Sequence, residues 1–270
     1  GAMRPTVLLF DIDGTLVTIG GAGRRSMALA FQALHGRLDA CDSFSMSGMT
    51  DRAIVRKALD LIGVHPSPDV ISAVIDSYLH HLAQEVPLVE ERDYRLHPGM
   101  REAVDAALSR PGFAVGLGTG NVRQGARIKL ERVRIHDRFS FGGFGCDHED
   151  RVELIRHGAR SGASQLGVPL PECRVVVIGD TPKDVAAAKG IGATCIGVGT
   201  GSFTPEALLS CGADYAFPDF TAREALAALR DGRTGVSYGS SAGSHEAVGE
   251  QRDQGLIGRY PSLRLFIEAS

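Results

Sequence analysis

Residues Thr6 to Phe10 are all apolar or β-branched, and they run directly into Asp11-Ile12-Asp13-Gly14-Thr15-Leu16. Five such residues in a row read as a strand buried on both faces, the kind found in the middle of a parallel sheet. Two carboxylates one residue apart repel each other, and burying them beside an apolar strand is costly unless a cation or hydrogen bonds meet them. Open α/β sheets place ligands at the carboxyl ends of such strands. The stretch therefore reads as a divalent-cation site in which a carboxylate can also act as a nucleophile. Alone it would serve equally well as a turn, because Asp and Gly are common turn residues. The rest of the chain decides between the two.

Between Leu16 and about Leu96 the pattern is helical and shows no convincing strand. Met27, Ala30, Phe31 and Leu34 fall on one face of a helix over 22–34. Thr50 or Asp51 caps a second helix through Ile54, Val55, Ala58, Leu59 and Ile62, which Gly63 stops. Ser67-Pro68 opens a third through Val70, Val74, Tyr78 and Leu82. His97-Pro98-Gly99 then punctuates a return to alternation. Strands are predicted at 113–117, 139–143 (weakly), 174–178, 194–198 and 215–217. Helices are predicted at 100–108, 122–131, 152–166, 185–189, 205–209 and 221–229, the last with Thr221 as cap. Strands alternating with helices predict an α/β fold with a doubly wound, parallel, Rossmann-like sheet. The expected division is a core at 4–16 and 97–230, and a helical cap at 17–96 inserted after the first strand. A flexible tail is expected at 231–270, where periodicity is lost, although Leu263 to Ile267 is apolar enough to dock. Gly1-Ala2 before Met3 reads as a tag scar.

Composition narrows the function. The 43% hydrophobic content can build a sizeable core, and the net charge of −3 offers no general attraction for nucleic acid or anionic membrane. No apolar run is long enough to span a membrane. The five cysteines, Cys41, Cys146, Cys173, Cys195 and Cys211, are scattered and contain no Cys-x-x-Cys pair. That argues against a disulfide framework or a zinc site and for a reduced, cytoplasmic protein.

Polar residues suited to one site follow several of the predicted strands: Asp11 with Asp13, Thr119-Gly120-Asn121, Arg151 at a helix start, and Gly179-Asp180 with Asp184. In this order the motifs resemble those of the haloacid dehalogenase (HAD) superfamily, in its phosphoglycolate phosphatase-like branch, over about 6–229. The resemblance implies that Asp11 is the nucleophile and Asp13 the acid–base. It implies that Mg²⁺ is the cofactor, bound by Asp11, by the backbone carbonyl of Asp13 and by Asp180. Asp184 would then act through water or orient the basic residue. Thr119 and the Gly120 amide would hold phosphoryl oxygens, with Asn121 beside them. The commonest third motif carries Lys, frequently in Lys-Pro, where this chain reads Asp147-His148-Glu149-Asp150-Arg151. Arg151 takes that role, since Arg is permanently charged and can fork onto phosphate, and Lys183 is the fallback.

The resemblance thus implies a Mg²⁺-dependent phosphatase acting on a small phosphorylated metabolite through an aspartyl-phosphate. Neither nucleic acid nor membrane is expected as a partner. The alternatives are a phosphosugar mutase of the same superfamily and a non-catalytic binding protein on the same scaffold. Within the expected cap, the loop from Ser45 to Arg52 is the candidate for substrate contact, with Met49 and Arg52 as its probes.

Overall fold

A computed structural model describes residues 4–231. The expected scar at 1–2, the tail beyond 231 and the apolar segment at 263–267 lie outside the described residues. The central strand is β1 (Thr6–Phe10), every residue of which is buried. Two more parallel strands flank it, β4 (Phe113–Gly118) on one side and β6 (Arg174–Gly179) on the other. With β5 (Gly142–Gly143), β7 (Thr194–Val198) and β8 (Tyr215–Phe217) they form a six-stranded sheet, ordered β5-β4-β1-β6-β7-β8. The helices between these strands are α4 (Met100–Leu108), α5 (Arg123–Glu131), α6 (Arg151–Leu166), α7 (Pro182–Gly190) and α8 (Pro205–Ser210), and α9 (Arg223–Asp231) follows β8.

Register places the site. Phe10 lies opposite Leu117 on one side and Ile178 on the other. The three strands therefore deliver Asp11, Thr119 and Asp180 to the same carboxyl-terminal edge, with neighbouring strands about 4.8 Å apart. The chain builds outward from β1 through β4 to β5 and then crosses back to β6, so this edge is the switch point where such sheets bind ligands.

Residues 17–96 leave and return side by side. They comprise β2 (Val17–Ile19), α1 (Ala22–His35), α2 (Asp51–Leu61), α3 (Pro68–Glu85) and β3 (Tyr94–Leu96). β2 and β3 pair antiparallel, Val17 with Leu96 and Ile19 with Tyr94. The reading of this region as strand-free is therefore corrected. Three-residue strands are too short to show a period of two, and their pairing exists only because the tertiary fold brings 17–19 and 94–96 together. Thr50 and Ser67 cap α2 and α3 through their hydroxyls, as expected. On α1, Met27, Ala30 and Phe31 are buried, but Leu34 is exposed.

Alternation along β1 divides the core. Val7 and Leu9 pack toward Leu154, Ile155 and Val185 of α6 and α7, while Leu8 and Phe10 face α4, α5 and α9. The second cluster runs on without a break into α1, α2 and α3. Apolar packing as well as the two-stranded ribbon thus joins 17–96 to the sheet.

Three boundaries differ from the sequence pattern. The strand expected at 139–143 is reduced to Gly142–Gly143, because Phe139 turns in to pack on Phe10, ring centroids 6.2 Å apart. α7 starts at Pro182, three residues early, under a capping box between Thr181 and Asp184. Thr221 does not cap α9, since its amide and hydroxyl both donate to Asp219. No helix among the described residues is long and apolar enough to cross a membrane.

Candidate active site

The carboxyl edge of the sheet opens into a cavity of about 550 Å³ that runs up to α1, α2 and α3. Asp11 lies at its floor and is nearly inaccessible. The amide of Ile12 donates to its Oδ1 at 2.8 Å, and Arg151 Nη2 lies 3.2 Å from its Oδ2. Arg151 reaches this point because Asp150 caps α6 and turns its first residue inward. Its Nη2 also donates to Asp184 Oδ1 at 2.5 Å, and Nη1 donates to the Gly48 carbonyl at 3.0 Å. Arg151 Nε is buried without a partner among the described residues.

Asp184 has two tasks. Its Oδ2 accepts from the amides of Asp180 and Thr181 and from the Thr181 hydroxyl, which completes the N-cap of α7. Its other oxygen orients Arg151. Asp180 accepts from the Thr15 hydroxyl at 2.9 Å. Asp11, Asp180 and Asp184 each offer a carboxylate oxygen within 4.8 Å of one another, and all three are buried. Burial and the charge of Asp184 push Asp180 up to about 7. The same two causes raise Asp11 well above the carboxylate range although Arg151 pulls the other way.

This donor set suits a hard divalent cation, which takes oxygen ligands and would relieve the crowding of like charges. The Asp180 carboxylate packs closely against two glycines: a Cβ on Gly14 would come within 2.1 Å of its Oδ2, and one on Gly201 within 2.0 Å. The Asp13 side chain stands outside the group, so of this residue only the backbone carbonyl is left as a candidate ligand.

On the other wall, Thr119 is fully buried and its hydroxyl accepts from the Asn121 amide at 3.0 Å and from Asn121 Nδ2 at 2.8 Å. Asn121 Nδ2 also donates to Asp13 Oδ2 at 2.8 Å. Gly120 passes so close to the start of α2 that a Cβ would meet Met49 O and Thr50 Cα at 2.7 Å. That approach lets the Gly120 carbonyl accept from the Asp51 amide at 2.9 Å, while Asp51 Oδ2 accepts from the Val122 amide at 3.0 Å.

A floor of buried carboxylates at the carboxyl end of a central parallel strand, a threonine loop beside it and an inward arginine together make a candidate active site. A family profile matches residues 5–192 and is described as haloacid dehalogenase-like hydrolase. The chain belongs to the haloacid dehalogenase-like hydrolases.

It is therefore an enzyme of the HAD hydrolase class. A phosphoglycolate phosphatase of Yersinia pestis is 28% identical over 229 residues, covering 82% of this chain and 94% of that protein. CbbY from Rhodobacter sphaeroides, crystallised with phosphate, superposes with a TM-score of 0.62 at 20% identity, covering 84% of this chain and 100% of CbbY. The β-phosphoglucomutase of Clostridium difficile superposes with a TM-score of 0.64 at 15% identity, covering 84% and 97%. At these identities the two structures establish a shared fold.

The structure brings Asp11, Asp13, Thr119, Gly120, Asn121, Arg151, Asp180 and Asp184 together at the carboxyl edge of the sheet. Lys183 is exposed, with its side chain beside Gly48, and Arg52 does not line the cavity, whereas Met49 does. Sequence reasoning missed Thr15 and, more consequentially, Lys129. The ammonium of Lys129 is buried on α5 and paired with Asp13. The available signal was a lone lysine on an apolar helix face, in step with Gly125, Ala126 and Leu130.

Proposed function

We propose that this HAD hydrolase is a Mg²⁺-dependent phosphomonoesterase that cleaves a small phosphorylated metabolite through an aspartyl-phosphate. The observation that carries the reading is the setting of Asp11. It lies at the floor of the cavity, with one oxygen held by the Ile12 amide and the other within reach of Arg151. A carboxylate so fixed is aligned for in-line attack on phosphorus. Thr119, the Gly120 amide and Arg151 would hold the phosphoryl oxygens where charge develops. Asp13 would protonate the leaving oxygen and then take the proton of the attacking water. Mg²⁺ would be held by Asp11, Asp180 and the Asp13 carbonyl, with Asp184 supporting, and would neutralise charge on the phosphoryl group when bound.

Residues 17–96 would serve as a cap that excludes water and grips the non-reacting part of the substrate. The Yersinia relative supports phosphoglycolate and similar small anionic phosphates as first substrates to try. All five cysteines are free, which supports a reducing, cytoplasmic setting.

The test is phosphate release from a panel of phosphorylated metabolites, after EDTA treatment and dialysis, with and without added Mg²⁺. Turnover of at least one small phosphate ester that requires Mg²⁺ and is not restored by Ca²⁺ is expected. Undiminished activity in the chelated protein would overturn the metal assignment. Release from none of the panel by Mg²⁺-loaded protein would overturn the substrate class.

A further inference from the structure

Lys129 has no part in the scheme above, yet it touches the residue proposed as acid–base. Its Nζ lies 3.0 Å from Asp13 Oδ1 and 2.9 Å from Oδ2. The lysine side chain is 5% exposed and the aspartate side chain 49% exposed. A buried ammonium is costly unless it is paired. On α5 this position falls among Gly125, Ala126 and Leu130, where packing alone would favour an apolar residue. The backbone at Lys129 is itself anchored, because its carbonyl accepts from the Tyr94 hydroxyl at 2.5 Å. Tyr78 of α3 and Asp51 of α2 lie close enough to act on the Lys129 charge. Asn121 completes the grip on Asp13 from the same side. Asp13 is thereby turned toward the cavity and away from the Asp11, Asp180 and Asp184 group.

We propose that Lys129 is a positioning residue that clamps the Asp13 carboxyl group in the rotamer facing the leaving oxygen of the substrate. The proposal rests on the acid–base reading of Asp13. Without the clamp, Asp13 is free to rotate, and only reactions that need it for leaving-group protonation should suffer. An alkyl phosphate leaves as a strongly basic alkoxide and needs the proton, whereas an activated aryl phosphate needs it far less.

Lys129→Met should lower kcat on an alkyl phosphate on the order of 10²-fold, the usual scale of one general-acid contribution. KM should change little, and kcat on p-nitrophenyl phosphate should fall by less than about 5-fold. In an Asp13→Asn background, Lys129→Met should cause no further loss on either substrate, because residues that act as one unit are non-additive. Lys129→Arg should recover part of the alkyl-phosphate activity, and it carries the same two-substrate comparison should the methionine variant fail to fold. Equal losses on both substrates, or an additive loss in the Asp13→Asn background, would overturn the proposal. A raised KM with kcat intact would also overturn it and make Lys129 a substrate-binding cation. If Asp13→Asn shows leaving-group dependence and the Lys129 variants do not, the clamp fails while the reading of Asp13 stands. If Asp13→Asn shows none, that reading fails and the clamp with it.

Discussion

The two walls of the cavity meet the same problem, a carboxylate beside a cation, and solve it differently. On the β6 wall, Arg151 is shared between Asp11 and Asp184, and all three are almost completely removed from water. On the β4 wall, Lys129 is buried but Asp13 is half exposed. The consequences for charge differ. Around Arg151 there are more carboxylates than cations, so Asp11 and Asp180 are pushed up by burial and by their neighbours. At Asp13, desolvation within the cavity pushes the carboxyl up despite its half-exposed side chain, but the Lys129 charge and the Asn121 hydrogen bond outweigh it, and the group sits below its ordinary value. One wall has an unmet demand for positive charge, and the other has met its own. The first wall, where Asp11, Asp180 and Asp184 crowd together, is therefore the one whose chemistry suits a divalent cation.

The largest effect on that contrast should come from Asp11→Asn. An amide cannot serve as this nucleophile, so kcat should fall by at least about 10³-fold with the fold retained. Circular dichroism alongside phosphate release would check it, and full activity in the purified variant would exclude the mechanism.

Arg151→Ala comes next. It leaves Asp184 and Asp11 buried without their cation, a change that costs about 3–5 kcal/mol in buried pairs. Activity should drop on the order of 10²-fold. Lys183→Ala, on an exposed side chain, should alter either quantity little. Thermal melts and steady-state rates on the two variants side by side decide the matter. A dead Lys183→Ala beside a normal Arg151→Ala would show that the wrong cation had been placed at Asp11.

The crowding of carboxylates also predicts a pH dependence for the chelated protein. The folded-state pKa of Asp180 is raised to about 7, against about 3.9 in an unfolded chain. Its protonation therefore favours the folded state below about pH 4, and that contribution is lost as pH climbs toward 7. In EDTA, Tm of the wild type should fall by several degrees between pH 4.5 and 7 relative to Asp180→Asn. Adding Mg²⁺ at pH 7 should restore Tm in the wild type only. Parallel curves for the two proteins would mean that the carboxylates are not strained against one another.

The smallest effect tests the roof of the cavity rather than its walls. Met49 lines the cavity from the segment leading into α2. Met49→Ala should lower kcat/KM about 10-fold for the best small metabolite, the scale of one or two lost apolar contacts, and hardly touch an aryl phosphate. Arg52 lies off the cavity, so Arg52→Ala should leave both substrates alone. Equal losses on both substrates for Met49→Ala would show that the roof does not sort substrates.

What the sequence determined by itself is the sheet and which of its edges carries the candidate site. Thr6–Phe10 and Arg174–Gly179 are continuous apolar runs because both faces of a central parallel strand are covered, and such runs need no partner to be recognised. The polar residues that end them stand one position past the last residue of each strand, so Asp11, Thr119 and Asp180 were readable from spacing. The helix caps at Thr50 and Ser67 were equally local, being hydrogen bonds across three residues.

Tertiary structure alone decided what depends on partners distant in sequence. β2 and β3 are separated by 74 residues and exist only as a pair. Lys129 is 116 residues from Asp13, and its place among the buried residues of α5 does not say which carboxylate meets its charge. Arg151 was preferred to Lys183 from the sequence, but its contact with Asp11 depends on how α6 directs its first turn. Register brings three strand ends level, but only packing determines which side chains from the surrounding helices lean over them.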